Sequence, residues 1–363
     1  MANIIIYDIA ANSGGALTIL EQIVREAEND VYNNYFVFSS YWKSNTCRNI
    51  KYIYVRERKG MVDRLAWDLY RLRRYLKQNN IAPDLIINMQ NVAVLGFHRI
   101  PQIVYLHQPL IFSKFRISLI RREDRILFFY RYIYKSAVVF MLFLTDSRVY
   151  VQTEWMKEQV SLLLRKSITV KKIAPSVGIG QATKRSEDDD ESKFVIVYPT
   201  SDLKYKNNDT VIKAMEYLKL HNREIYDKIE LRVTIEKSSK YLLAPENIKF
   251  IGHQPRSEMI QLYNSSSAMV FPSYLESFGL PLIEAASIGL PIIVSDLPYS
   301  REILGTYDGA KFINDYMSKR AWAQAITEVY AQERNRYKPL IWNNEGWKVL
   351  FNDIHRILHN KEG

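Results

Sequence analysis

The chain has 363 residues, of which 47% are hydrophobic and 13% aromatic, and it carries a formal net charge of +11. This length gives room for two domains of ordinary size, and this composition excludes an intrinsically disordered chain. A single cysteine, Cys47, excludes both an internal disulfide framework and a zinc site built from several cysteines. No signal-peptide pattern opens the sequence, so we expect a cytoplasmic protein.

The N-terminal stretch predicts a strand, a turn and the start of a helix. Asn3–Ile6 is a short apolar run, a glycine-containing turn follows, and apolar residues then recur at helical spacing from Leu17. This opening βα unit is typical of a doubly wound α/β domain. Its glycines, Gly14 and Gly15, fall short of the full dinucleotide-binding fingerprint and by themselves indicate only a tight turn.

Two segments of the first half carry most of the positive charge. Arg56–Lys77 holds eight basic and three acidic residues, and Lys114–Lys135 holds seven basic and two acidic residues. Basic surface interleaved with apolar and aromatic residues suits an anionic membrane face, at roughly 1 kcal/mol per basic residue. Nucleic acid is the competing interpretation, and a solvated helix face is the simplest one. The apolar residues at helical spacing in the first segment are Val62, Leu65, Leu69, Leu72 and Leu76.

No apolar stretch approaches the ~20 residues needed to span a bilayer, so peripheral attachment to the inner face of the plasma membrane is the expectation. Further strands of the first domain, residues 1–180, are predicted at Tyr35–Ser39, Ile50–Val55, Leu85–Asn88, Ile103–Leu106 and Val170–Pro175. His107 follows one of these strands directly, at the strand end where open α/β sheets place their ligand contacts. A lone histidine is more often structural, and only this position favours a site.

The boundary between two domains is predicted at residues 181–192, which lack apolar periodicity. This segment contains the acidic run Glu187–Glu191, which indicates a solvated linker better than a metal-binding aspartate motif. The second domain, residues 193–340, opens with a buried strand and a loop containing Lys206, and further strands are predicted at Ile229–Ile235 and Ile248–Ile251. Residues 341–363 contain a final amphipathic helix.

The segment Val270–Leu304 predicts a strand, a loop, a helix that begins at Gly279–Pro281, and a buried strand at Leu290–Val294. Pro281 suits the first position of the helix. A corner of this kind leaves backbone N–H groups free in front of the helix, which favours an anion there. These donors belong to Phe278, Gly279 and Leu280.

Two carboxylates flank the same corner. Glu276 precedes the helix and Glu284 lies in its first turn, with seven residues between them. A carboxylate accepts hydrogen bonds from a pair of neighbouring hydroxyls, so the corner offers N–H groups for phosphate and carboxylates for sugar hydroxyls. Taken alone, two such glutamates are more often a loop charge and a helix charge.

The stretch FPSYLESFGLPLIEAASIGLPIIVSD resembles the donor-site segment of retaining glycosyltransferases of the GT-B fold, in family 4. The hallmark of that segment is a pair of glutamates with seven residues between them, matched here by Glu276 and Glu284. The resemblance implies an α/β protein with two Rossmann-like doubly wound domains facing a cleft. It also implies retaining transfer of a hexose-type sugar from a nucleotide-sugar to a hydroxyl.

The resemblance implies a role for each matching residue of the second domain. Glu276 would face the transferred sugar near the reaction centre, and Glu284 would bind the nucleotide ribose. The amides of Phe278–Leu280 would contact sugar hydroxyls and phosphate. Lys206 would clamp the diphosphate. Many family members have an arginine after the preceding strand, where this chain has Tyr198–Thr200, so phosphate recognition would depend more on Lys206 and the amides.

In the first domain, the resemblance implies that His107 faces the donor sugar and the acceptor, and that Gly14 and Gly15 approach the donor phosphates. No metal and no cofactor is expected beside a UDP-sugar or GDP-sugar. The basic aromatic surface suggests a lipid-linked saccharide acceptor, as in the extension of O-antigen or capsular repeats, and no nucleic acid partner. Two alternatives stay open: a GT-B nucleotide-sugar epimerase, and a non-catalytic basic protein that binds membrane or nucleic acid.

Overall fold

A computed structural model describes residues 1–12, 14–41, 47–56, 61–113, 125, 127–165, 167–177, 193–332, 336–343 and 345–359. The chain folds into two compact units. The first consists of Met1–Ser176 together with Asn343–Gly363, and the second of Val177–Trp342. The predicted linker, residues 181–192, lies outside the described residues.

The first unit contains a parallel sheet of seven described strands in the order β3-β2-β1-β4-β5-β6-β7. The strands are β1 (Asn3–Asp8), β2 (Asn34–Ser39), β3 (Ile50–Tyr54), β4 (Leu85–Asn88), β5 (Gln102–Leu106), β6 (Ser147–Val151) and β7 (Val170–Lys172). The central strands are buried along their length, as expected for a parallel sheet covered on both faces. From β1 the chain winds outward through β2 and β3, then returns to continue on the other side of β1 with β4.

The described helices of the first unit are α1 (Gly14–Asn29), α2 (Met61–Ala66), α3 (Leu72–Gln78), α4 (Lys135–Phe143), α5 (Glu154–Leu163) and α12 (Gly346–His359). Wide π-helical turns precede two of them. Trp67–Arg71 joins α2 to α3, and Phe129–Tyr134 leads into α4. Each π-turn adds a residue to its turn and so rotates the side chains that follow it.

The helical spacing of the apolar residues in Arg56–Lys77 is real, but these residues do not form one continuous buried stripe. Leu72 and Leu76, after the π-turn, are buried against the sheet, whereas Leu65 and Leu69 are 47% and 40% exposed. The π-turn breaks the continuous apolar stripe because it changes the register between α2 and α3. Residues 57–60 of this segment, and residues 114–124 and 126 of the second basic segment, lie outside the described residues.

The C-terminal helix α12 packs within the first unit. Trp347 is fully buried with its ring 5.3 Å from that of Tyr105, and its indole N–H donates to Gln22 Oε1 at 2.8 Å. Asp353 accepts hydrogen bonds from Tyr150 at 3.1 Å and from Lys171 at 2.7 Å. One face of α12 thus combines an apolar anchor with a buried carboxylate that is neutralised by its neighbours.

The second unit contains a parallel sheet of six described strands in the order β10-β9-β8-β11-β12-β13. The strands are β8 (Phe194–Tyr198), β9 (Ile229–Val233), β10 (Ile248–Phe250), β11 (Ala268–Phe271), β12 (Ile292–Ser295) and β13 (Ala310–Ile313). The helices are α6 (Asn208–His221), α7 (Arg223–Lys228), α8 (Arg256–Ser265), α9 (Leu280–Ala286), α10 (Pro298–Leu304) and α11 (Lys319–Ala331). The order of six strands is that of a doubly wound, dinucleotide-type sheet.

Within the described residues, none of the helices combines the length and the apolar character needed to cross a membrane.

Candidate functional site

The loops that carry Lys206 and Glu276 follow neighbouring strands of the second sheet. Lys206 comes after β8 and Glu276 after β11, and these two strands pair directly. From β8 the chain winds one way through β9 and β10, and from β11 it winds the other way. The two residues therefore lie at the topological switch point of this sheet, where doubly wound folds bind their ligands.

Lys206 and Glu276 contact each other at this point. The Lys206 ammonium lies 2.6 Å from Glu276 Oε1, and the two side chains are only 17% and 13% exposed. The ammonium also lies 5.6 Å from the ring centroids of Tyr205 and Phe271, within range of a cation–π attraction. The sequence places these residues 70 positions apart, and the fold brings them into one ion pair.

Two asparagines hold the turn that presents Lys206. Asn207 has a φ of +61°, a left-handed conformation that asparagine tolerates, and its amide donates to Tyr316 O at 2.9 Å. Asn208 accepts hydrogen bonds from the hydroxyls of Tyr198 and Thr200 at 2.6 and 2.8 Å. The turn is fixed to the end of β8 and to a neighbouring loop, so the Lys206 backbone is well positioned.

The loop between β11 and α9 depends on Gly279. This residue has a φ of +94°, and a Cβ on it would lie 3.2 Å from Leu282 Cδ1. Only glycine adopts this conformation without strain. Phe278 beside it is buried, with its ring 5.5 Å from that of Trp342. The backbone conformation of Gly279 and the packing of Phe278 thus fix the position of the loop that carries the predicted N–H donors.

Helix α9 is short. It spans Leu280–Ala286, so Pro281 occupies its second position rather than the predicted first one. A helix of seven residues offers little cooperative backbone dipole. The N-terminus of α9 should therefore contribute less to anion binding than the sequence suggested, and Lys206 should contribute more.

Glu284 faces a different set of partners from Glu276. Its carboxylate lies 3.5 Å from an Arg256 guanidinium nitrogen, and the Tyr263 hydroxyl is also beside it. Burial raises the pKa of Glu284, and the charge of Arg256 and the hydrogen bond from Tyr263 offset part of this effect. Both partners belong to α8. The sequence analysis did not identify them, because no local sequence pattern shows that α8 packs beside α9.

The first unit holds the remaining predicted residues, at the carboxyl ends of two of its strands. Gly14 begins α1 with a φ of +62°, and no atom lies within 4 Å of a Cβ built on it; Gly15 follows it and is exposed. His107 follows β5, and its backbone N–H donates to Asn91 Oδ1 at 2.6 Å.

The His107 imidazole is held in its neutral form. Burial lowers the pKa of His107 to about 4, and its Nδ1 has no hydrogen-bond partner among the described residues. A neutral imidazole can donate through one ring nitrogen and accept through the other. Its surroundings therefore suit hydrogen bonding to a hydroxyl better than pairing with an anion.

The second unit thus presents loop amides and two carboxylates, and each carboxylate has a cation beside it: Lys206 beside Glu276 and Arg256 beside Glu284. A lysine and backbone N–H groups match the oxygens of a phosphate group. Carboxylates match vicinal hydroxyls, as in a ribose or a hexose. Among the described residues, no group of three or more histidine, cysteine, aspartate and glutamate side chains is arranged to hold a metal ion.

One family model matches the part of the chain that holds most of the second unit. The profile described as glycosyl transferases group 1 matches residues 181–346. The O-antigen chain mannosyltransferase RfbU of Salmonella typhimurium, strain LT2, is 34% identical over 84 residues. That alignment covers 23% of this chain and 23% of RfbU. The matched portion is therefore less than a quarter of the length of that relative.

Solved structures with the same architecture align along nearly the whole chain. WaaG, a glycosyltransferase involved in lipopolysaccharide biosynthesis, has a TM-score of 0.66 at 14% identity, covering 91% of this chain and 90% of WaaG. HepE of Anabaena, in complex with UDP and glucose, has a TM-score of 0.62 at 14% identity, covering 100% of this chain and 98% of HepE. At this identity the likeness establishes the fold, and the predicted GT-B architecture is confirmed.

Proposed function

We propose that this chain is a glycosyltransferase, because residues 181–346 match the family model described as glycosyl transferases group 1. It transfers a hexose-type sugar from a nucleotide-sugar to a hydroxyl of a saccharide acceptor, with retention of anomeric configuration. The observation that carries this proposal is the Lys206–Glu276 pair at the switch point of the second sheet. The names of several relatives make mannose the first sugar to test.

Donor binding is proposed to rearrange the ion pair. A diphosphate at the switch point competes with Glu276 for the Lys206 ammonium, and a released Glu276 carboxylate then becomes free to accept hydrogen bonds from the sugar. Glu284 and Arg256 hold the nucleoside side of the donor, with Glu284 accepting from ribose hydroxyls. The amides of Phe278–Leu280 donate to the remaining oxygens of the diphosphate and the sugar.

The chemical step builds negative charge on the leaving diphosphate. A fixed cation and fixed N–H donors close to that diphosphate lower the barrier, because they need no reorganisation when the charge develops. We therefore propose that Lys206 and the loop amides supply this stabilisation without a divalent metal. The test is to measure sugar transfer in the presence of EDTA, which should leave the rate unchanged. His107, Gly14 and Gly15 are proposed to contact substrate from the first unit.

The acceptor is proposed to be a lipid-linked saccharide of cell-surface polysaccharide synthesis, reached by peripheral attachment to an anionic membrane. Large apolar side chains are exposed beside basic ones on both segments predicted to bind membrane. On the second segment, Tyr132 and Ile133 are about half exposed beside Arg131, and Phe140 on the following helix is 61% exposed. Apolar side chains can enter the lipid boundary while the arginines pair with anionic headgroups.

The direct test of the donor site is a thermal-shift panel of UDP-, GDP- and ADP-sugars. One nucleotide class should raise the melting temperature of the wild-type protein. Glu284→Ala should weaken that nucleotide roughly tenfold or more, since hydrogen bonds from ribose to a carboxylate are lost. Glu258→Ala, on the same α8 helix as Arg256, is the matched control and should leave the shift unchanged. Absence of a shift with every nucleotide would contradict the proposal, and donor turnover without acceptor would indicate an epimerase.

A further inference from the structure

The loops that follow β9 and β10 meet at the carboxyl edge of the second sheet. These two strands pair with each other, and β9 also pairs with β8, the strand that precedes Lys206. Beyond the strand ends, the Gly252 N–H donates to Ile235 O at 3.3 Å. Glu236, the next residue, therefore stands at the same edge of the sheet as the Lys206–Glu276 pair.

The Glu236 carboxylate lies against the backbone of Gly252. Gly252 has a φ of +73°, and a Cβ built on it would collide with Glu236 Oε1. The carboxylate thus occupies space that only glycine leaves open. Glu236 is exposed, and its carboxylate has no hydrogen-bond or ion-pair partner among the described residues. Its oxygens are therefore available to hydrogen-bond donors of a ligand.

A second acceptor belongs to the loop after β10. The side-chain amide nitrogen of Gln254 donates to Ile251 O at 2.7 Å and to Gly252 O at 3.4 Å. These bonds fix the orientation of the amide, and its Oε1 has no partner in the described part of the chain. Glu236 and Gln254 thus present acceptor oxygens from two adjoining loops, and a matching ligand group must be rich in donors.

The proposed donor places its base at these loops. Its diphosphate is proposed to lie at Lys206, and its ribose at Glu284 beside Arg256. Arg256 begins α8, four residues after Gly252. Because phosphate and base are attached to opposite ends of a ribose, the base should extend away from the switch point, toward the loops after β9 and β10.

The nucleobases differ in the donors that they offer to a carboxylate. The pairing edge of guanine carries N1–H and the N2 amino group side by side, so both oxygens of a carboxylate can accept from it at once. Uracil offers a single N–H between two carbonyl oxygens, which a carboxylate repels. Adenine offers one amino group beside a ring nitrogen that is itself an acceptor. Guanine therefore matches the acceptors at these loops best.

We propose that Glu236 is a specificity-determining residue that selects a guanine nucleotide. Its carboxylate accepts from N1–H and the N2 amino group, and Gln254 Oε1 provides a further acceptor. This inference rests on the proposed function, because the base belongs to the donor proposed there. It commits that donor to a GDP-sugar, where the sequence resemblance left UDP-sugar and GDP-sugar open.

The test is calorimetric titration of the full chain with GDP, IDP and UDP. IDP differs from GDP only in lacking the N2 amino group, so wild type should bind GDP roughly tenfold or more tightly than IDP, and more tightly than UDP. Glu236→Gln should weaken GDP roughly tenfold or more and bring GDP and IDP close to equal affinity. It should bind UDP at least as tightly as wild type, because a carboxamide can donate to a uracil carbonyl.

A control variant separates base recognition from loss of charge. Glu224→Gln removes another exposed carboxylate of the second unit, which pairs with Lys228 at 3.0 Å on α7, and it should leave all three affinities unchanged. Without nucleotide, Glu236→Gln should melt at the temperature of wild type, because its carboxylate has no partner within the described residues. A lowered melting temperature would overturn the inference, since the carboxylate would then serve the fold.

The outcomes distinguish this inference from the proposed function. Tighter binding of UDP than GDP by wild type, equal binding of GDP and IDP, or parallel weakening of all three nucleotides by Glu236→Gln would overturn the inference alone. In each of these cases nucleotide binding itself still supports the proposed function. Absence of binding by every nucleotide to wild type would overturn both.

Discussion

The ion pair of Lys206 and Glu276 is mostly buried, so the opposite charge of the partner replaces much of the hydration that each group would have in water. Removing one partner of such a pair leaves an uncompensated charge, which costs more than the pair itself contributes. The rings of Tyr205 and Phe271 beside the ammonium offset a part of this cost through cation–π attraction. In the proposed mechanism, this pair is present before the donor binds and is broken when the diphosphate takes the place of Glu276 beside Lys206.

We predict that Glu276→Ala lowers the free energy of unfolding by about 2 kcal/mol, because the Lys206 ammonium stays buried without its carboxylate. Denaturant unfolding without nucleotide measures this. Lys206→Met combined with Glu276→Leu should recover most of the loss. Glu246→Ala, which removes an exposed partner of Lys219, is the control and should have almost no effect. Equal stability of Glu276→Ala and wild type would show that the pair is not coupled as described.

Among the elements, α4 and the π-turn before it expose an apolar stripe. Ile133, Phe140 and Phe143 are 56%, 61% and 53% exposed, and Leu144 extends the stripe beyond the helix end. Arg131 and Lys135 lie at the start of the same stripe. A stripe of this kind faces water at a cost, and a membrane surface offers both apolar contact and negative charge.

Phe140→Ser with Phe143→Ser should reduce binding to phosphatidylglycerol vesicles at least roughly tenfold, since each phenyl ring buried in lipid contributes up to about 2 kcal/mol and partial burial of the two rings already exceeds the ~1.4 kcal/mol of a tenfold change. Cosedimentation at low salt measures this. Leu243→Ser is the control, because Leu243 is exposed on the second unit. Equal sedimentation of the double variant and wild type would exclude α4 as the attachment element.

The sequence supported prediction of most strands, because buried parallel strands are short apolar runs bounded by loops. The strand Leu85–Asn88 was predicted with the bounds that β4 has. The π-turns could not be predicted. A π-turn holds one more residue than an α-helical turn, and the leucine spacing of Arg56–Lys77 fits a regular α-helix about as well. Neither β13 nor α11 was predicted, because no motif marks the chain after Glu302.

The parts of the candidate site that depend on strand order could be predicted from the sequence, and the parts that depend on helix packing could not. Two loops after neighbouring strands must lie close together, so the proximity of Lys206 and Glu276 follows from fold class once the strands are known. The contact of Arg256 with Glu284 depends on how α8 packs beside α9, which no local pattern determines. The burial of Asp68 could not be predicted, because the sequence shows it only as one of three acidic residues in a basic segment.

For the whole molecule, the two units repeat one arrangement. Each sheet begins its winding at a central strand, β1 or β8, and reverses direction at the next neighbour, β4 or β11. Each switch point carries a carboxylate, Asp8 at the end of β1 and Glu276 after β11. The second also carries a lysine and loop amides suited to phosphate, which favours it for the proposed nucleotide-sugar site.

The most direct measurement is sugar transfer by wild type and Glu276→Gln, using the donor found by thermal shift and a mannose-terminated saccharide acceptor, with the anomeric configuration of the product read by NMR. Wild type should give a product that keeps the configuration of the donor. Glu276→Gln should lose at least about a hundredfold in transfer while binding the nucleotide at least as tightly, because Lys206 loses its competing carboxylate. Undiminished transfer by Glu276→Gln, or an inverted product, would contradict the account.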